Sequence, residues 1–147
     1  MPRILIVVDG LKPVLSAQSL EVEDDIGRLA QMARATGMHL VLATAHPTPD
    51  VLTGLIKANT PARLALHVAA RSDSRAILDC HGAEELGNDS DMLFLPPSQH
   101  RLIRLPADLP SDTEIDRVAG RLRLRGLPTY DPAVTAPPPP EGDGLSG

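Results

Sequence analysis

The chain has 147 residues, of which 42% are hydrophobic and 22% charged, with a net charge of −5 and one cysteine, Cys80. That length holds one domain with a modest core, and a lone cysteine excludes an intramolecular disulfide and fits a reducing compartment. The acidic balance excludes a chain-wide attraction for nucleic acid, so contact with a phosphate backbone requires a local basic patch or neighbouring subunits.

Residues 4–8, "ILIVV", form an apolar run followed by Asp9 and Gly10. Such a run is apolar on both faces, as in a parallel strand covered on both sides, and it delivers a carboxylate to its C-terminal end. Residues 10–20, with Gly10 and Pro13, read as a loop. Val22, Ile26, Leu29 and Ala33 recur at helical spacing, predicting a helix over 21–36 closed by Gly37. "HLVLAT" at 39–44 is the second predicted strand.

In "TPDVLTGLIKAN", Thr48 is placed to cap a helix with Pro49 in its first position and Asn59 at its end. Residues 62–68 read as a third strand and 72–80 as the helix after it. "DMLFLPP" and "RLIRLP" read as short strands of an antiparallel edge. Ser111 and Glu114 have capping-box spacing and open a helix reaching about residue 124. The Pro- and Gly-rich stretch at 131–147 reads as a disordered tail. Phe94 and Tyr130 are the only aromatics, so the core is built from Leu, Ile, Val and Ala. Strands alternating with helices predict an α/β fold. No apolar run approaches the roughly 20 residues of a membrane span, and the N-terminus lacks a secretory pattern. The expected location is the cytoplasm.

Five stretches carry a resemblance in order and spacing: "EVEDDIGRLAQMARATGMHLVLAT", "DVLTGLIKAN", "SDSRAILD", "GAEEL" and "DMLFLPP". Together they resemble the motor domain of the FtsK/SpoIIIE family of bacterial DNA translocases, over residues 2–130. The resemblance implies a partial RecA-like fold of the P-loop NTPase type, with a mostly parallel sheet and flanking helices. It also implies ATP and Mg²⁺ as cofactors, and double-stranded DNA and further translocase subunits in a hexameric ring as partners. A truncated motor domain at 1–130 and the tail at 131–147 are the expected parts.

By that resemblance "LIVVDG" lies on the Walker B strand and Asp9 is the residue that helps hold Mg²⁺. The phosphate loop, of the form G-x-x-x-x-G-K-[ST], has no match in these 147 residues. The family's glutamate after the Walker B aspartate, which polarises the attacking water, is Gly10 here. The family's Gln-Arg pair after the next strand is Ala45-His46. A general base contributes roughly 10²–10⁴ in rate, and the loop holds the phosphates themselves. The chain alone is therefore expected neither to bind nor to hydrolyse ATP. It reads as the C-terminal half of a translocase motor; the alternative is a non-enzymatic remnant or adaptor that binds a translocase ring or another partner.

Arg63, Arg71 and Arg75 occupy positions from which ring-motor arginines reach a neighbour's phosphates; the plainer reading pairs them with Asp73, Asp79 or Glu84. Arg117, Arg121 and Arg125 make a basic stripe at i, i+4 spacing that could touch DNA, diluted by Asp112, Glu114 and Asp116. Lys12 is the one cation of the segment that approaches DNA in the family. His39, His46, His67, His81 and His100 fall on separate elements and make no metal-ligand pattern. Cys80 reads as a packed helix residue. A phospho-receiver domain, which "ILIVVDG" also resembles, is rejected because no acceptor aspartate or lysine follows the later strands.

In the family's sheet order a central strand separates those corresponding to 39–44 and 62–68. Either these two close on each other here, or stable folding requires a partner that supplies the strand. Closure is the expectation for an isolated chain, together with poor solubility.

Overall fold

β1 (Ile4–Asp9) runs parallel to β2 (Met38–Ala43), in a register that sets Ile4 beside Met38 and Asp9 beside Ala43. The computed structural model describes residues 3–17, 19–87, 91–99, 101–107, 110–126 and 128–136. His100 and residues 137–147 of the expected tail lie outside the described residues. The chain divides into two units, Met1–Leu109 and Pro110–Gly147.

Gly10 leaves β1 with φ +85°, a conformation open to glycine but strained for L side chains, and α1 (Leu11–Ala17) begins at once. The loop expected over 10–20 is therefore wrong. Pro13 lies in the first turn of α1, where its missing N–H removes no helical hydrogen bond. Leu11 and Leu15, four residues apart, share one buried side of α1. α2 (Ser19–Thr36) buries Ile26 and Ala30, and Gly37 follows it at φ +72°, as predicted.

Residues 48–52 form turns, with Val51 and Leu52 N–H both donating to the Thr48 carbonyl. The next helix, α3 (Gly54–Asn59), starts later than predicted because Thr53, not Thr48, caps it: the Thr53 hydroxyl accepts from Ile56 N at 3.3 Å. β3 (Arg63–Ala65) is shorter than expected. α4 (Arg71–Leu78) ends at Asp79, whose φ of +60° makes it a left-handed cap. A 3-10 turn follows at Ala83–Glu85. β4 (Asp91–Leu95) then pairs antiparallel with both β3 and β5 (Ile103–Pro106), as the edge strands were read.

The strands make two separate sheets, β1-β2 and β3-β4-β5, and β2 does not pair with β3. The closure expected of an isolated chain does not occur. Each sheet has its own apolar cluster: Leu11, Leu15, Ile26, Val51 and Ile56 beneath β1-β2, and Ala65, Leu78, Ala83, Leu86 and Leu93 around the antiparallel sheet. Each cluster forms locally without the missing pairing.

The second unit carries α5 (Asp112–Arg123) and a single turn, α6 (Pro132–Thr135), within the expected tail. The capping box forms as its spacing predicts: Ser111 N–H donates to Glu114 Oε2 at 2.9 Å and Glu114 N–H donates to Ser111 Oγ at 3.4 Å.

Candidate functional site

The C-terminal end of the β1-β2 pair gathers the residues that the Walker B resemblance singles out. Gly10 N–H donates to the Ala43 carbonyl at 3.1 Å and fastens the turn after Asp9 to the end of β2. Ala45 lies two residues beyond that carbonyl. Thr44 shapes the segment, its hydroxyl accepting from His46 N at 3.1 Å and donating to His46 O at 3.3 Å. Asp9, Ala45 and His46 are exposed. Among the described residues the Asp9 carboxylate has no ion pair or side-chain hydrogen bond. The C-terminal ends of parallel strands are where open α/β sheets take ligands. Neither of two open grooves, about 430 and 330 Å³ along α2 and α3, is lined by Asp9, Gly10 or Ala45.

Arg63 stands on β3 of the other sheet, and Arg71 and Arg75 on α4. Arg63 Nη1 donates to Asp79 Oδ2 at 2.5 Å and to the Ile77 carbonyl at 3.2 Å, while Lys57 Nζ donates to Asp79 Oδ1 at 2.5 Å. Hydrogen bonds first from Lys57 and then from Arg63 hold the Asp79 carboxyl below the usual carboxylate range. Lys57, Arg63 and Asp79 thus clasp α3, β3 and the end of α4. Lys57 carried no signal in the sequence, because its partner is 22 residues away. Arg71 Nε donates to Glu84 at 3.1 Å and its Nη2 lies 3.7 Å from Glu85. Arg75 is exposed and has no side-chain partner among the described residues.

Glu84 is the most strongly shifted carboxyl among the described residues. The Gly82 N–H, donating at 2.8 Å, is the chief cause holding it at about 2 instead of 4.5; Arg71 adds to this and burial opposes it. Because the folded value lies below the ordinary one, its stabilisation is complete above pH 4.5 and is lost as pH falls towards 2. Glu84→Gln should therefore lower the urea midpoint at pH 7, and the difference from the parent chain should shrink as pH falls from 4.5 through about 2. Equal midpoints at pH 7 would contradict this role.

Ser74, fully buried, receives Ala83 N–H and donates to Cys80 O, closing the loop beyond α4. Cys80 lies just past that helix, not within it, with its thiol donating to Leu78 O at 3.4 Å. Among the described residues no three His, Cys, Asp or Glu side chains gather to hold a metal. No described helix is long and apolar enough to cross a membrane.

Arg117 and Arg121 lie on α5 and Arg125 in the turn after it, all exposed. Ile115, Val118 and Leu122 are exposed on the same helix. That apolar spacing is visible in the sequence, where the basic stripe overshadowed it. Lys12 is exposed on α1 instead of in a loop.

No protein-family model matches the chain. It is 44% identical over its whole length to the DNA translocase FtsK of Pseudomonas syringae pv. tomato, of which it covers 18%. It is 45% identical over 130 residues to the DNA translocase SftA of Bacillus subtilis, covering 88% of this chain and 14% of that protein. The chain thus spans less than a fifth of each of these curated relatives. Among solved structures, the pCW3 conjugation coupling protein TcpA, determined in monomer form with ATPγS, superposes with a TM-score of 0.73 at 25% identity. That match covers 86% of this chain and 38% of TcpA.

Proposed function

Because the chain corresponds to a segment of the FtsK-type DNA translocases, we propose that it forms the C-terminal half of an ATP-driven double-stranded DNA translocase motor domain and is inactive by itself. In this reading it works only together with a phosphate loop, which these 147 residues do not contain. The observation that carries the proposal is the end of β1-β2, where Asp9 stands beside Ala43 and the Gly10 N–H is bonded to the Ala43 carbonyl, in a sequence with glycine in place of the family's glutamate and no stretch of phosphate-loop form.

These residues do not by themselves fit ATP·Mg²⁺. Asp9 belongs to no group of three or more metal-ligating side chains among the described residues, and no segment of the sequence has phosphate-loop form. In an assembled motor Asp9 would help hold Mg²⁺. Arg75, with Arg71 and Arg63 once freed of their carboxylates, would face a neighbouring subunit's phosphates. Lys12, Arg117, Arg121 and Arg125 would contact the DNA backbone, and the site of action would be the cytoplasm.

One observation favours the alternative, a non-enzymatic adaptor that binds a translocase ring: Arg63 and Arg71 already spend their charge on Asp79 and Glu84. Calorimetric titration of the isolated chain with ATP and MgCl₂ tests the absence of the phosphate site. No saturable binding at micromolar ATP is the expected result; a micromolar Kd overturns the reading.

A further inference from the structure

Two cations share one carboxylate where α3, β3 and the end of α4 meet. Lys57 Nζ and Arg63 Nη1 each lie 2.5 Å from a different oxygen of Asp79. The two cationic side chains are only 23% and 18% exposed, whereas that of Asp79 is 56% exposed. Cations held mostly out of water call for matching negative charge. Among the described residues neither has another ion pair, so a single carboxylate leaves a surplus of positive charge. Arg63 Nε is also buried with no hydrogen-bond partner among the described residues, and an unmet buried donor is costly.

The three groups are not held alike. Arg63 Nη1 donates to the Ile77 carbonyl at 3.2 Å as well, so the guanidinium keeps an anchor when Asp79 turns away. Asp79 is the one non-glycine residue at positive φ among the described residues, at +60°, a conformation that Asp and Asn tolerate better than other L residues. Its N–H is bonded to the Arg75 carbonyl at 2.9 Å. The exposed carboxylate can therefore rotate about its side-chain bonds while the helix cap stays in place.

We propose that Lys57 and Arg63 form a seat for a phosphate dianion, and that the Asp79 carboxylate is an internal plug that fills it. A dianion meets both cationic charges, where the carboxylate meets one. Its oxygens accept from the Lys57 ammonium and from the Arg63 guanidinium, whose planar fork suits phosphate. The seat goes beyond the motor reading, while the choice of phosphate among dianions rests on that reading through the place it gives Arg63. Lys57 then acts as the second cation, and Asp79 as the group that keeps both from phosphate.

The test titrates the isolated chain with methyl phosphate at about pH 8, where a phosphate monoester is a dianion, at constant ionic strength and followed by amide NMR shifts. Asp79→Asn removes the charge of the plug and keeps a residue suited to the left-handed cap. It should bind at least tenfold more tightly than the parent, with shifts centred on residues 57, 63 and 79. Asp79→Gly, equally at home at positive φ, should show the same gain, which guards against a folding defect in one variant. Adding Lys57→Gln or Arg63→Gln to Asp79→Asn should cancel the gain. Dimethyl phosphate, a monoanion, should bind at least tenfold more weakly than methyl phosphate. No gain in either Asp79 variant overturns the proposal, as does a gain that survives loss of either cation. Equal binding of the diester overturns the dianion class and the proposal with it. The motor reading fails on a different result, micromolar ATP binding by the parent chain, in which Asp79 is intact.

Discussion

Replacing Ile56 with alanine is expected to lower the stability of the chain by about 2–5 kcal/mol. Ile56 is 2% exposed and is the buried residue of α3. Its side chain joins Leu11, Leu15, Ile26 and Val51, which come from α1, α2 and the turn before α3. Removing it opens a cavity where three segments meet and takes away the contact that fixes the short helix. Six residues cannot hold a helix by propensity alone, so α3 depends on that anchor. Domains of this size are stable by about 5–15 kcal/mol, so a loss of that size is a large share of the whole. The urea midpoint should fall by about 1–2 M. Leu55→Ala, on the same helix but 38% exposed, should change stability by no more than about 1 kcal/mol. An Ile56→Ala loss below about 1 kcal/mol would show that the cluster does not organise this half.

Restoring the acid is expected not to restore activity. Gly10→Glu returns a carboxylate to the position where the resemblance places the water-polarising glutamate. Gly10 sits at φ +85°, where any L side chain is strained, at a typical cost of about 1–3 kcal/mol. A general base adds roughly 10²–10⁴ only to a substrate already in place, and the sequence has no stretch of phosphate-loop form to grip a triphosphate. The variant should melt at a lower temperature than the parent and release phosphate at the same background rate. A gain in hydrolysis would mean that the phosphates are held by residues outside the recognised pattern.

Local chemistry was the legible part of this fold. The strand at β1, the closing glycine after α2 and the Ser111–Glu114 box each rest on a few adjacent residues, and each stands where the sequence places it. α1 was missed because Pro13 reads as a breaker until its position in a first turn is known. α3 was started too early because Thr48 and Thr53 are equally good caps in sequence, and only the burial of Val51 and Ile56 separates them. The break between β2 and β3 was one of two outcomes the resemblance left open, and closure, the one expected, is not what forms. Strand pairing is non-local, and the two apolar clusters fill without it. At the candidate site, the pairing of Asp9 with Ala43 joins the ends of two predicted strands, whereas the Lys57–Asp79–Arg63 clasp depends on three elements meeting. The two-sided apolarity of β1 was read as cover on both faces, and this is not what forms among the described residues: Val8 packs on the core cluster while Leu5 and Val7 are exposed.

The central claim is that these 147 residues hold the Walker B end of a motor without the means to grip its fuel. Inorganic phosphate released by the pure chain, with ATP, MgCl₂ and double-stranded DNA present, measures this directly. The account predicts a rate equal to the no-protein background, unchanged by DNA. A rate well above background that follows the chain through its final purification step would contradict it.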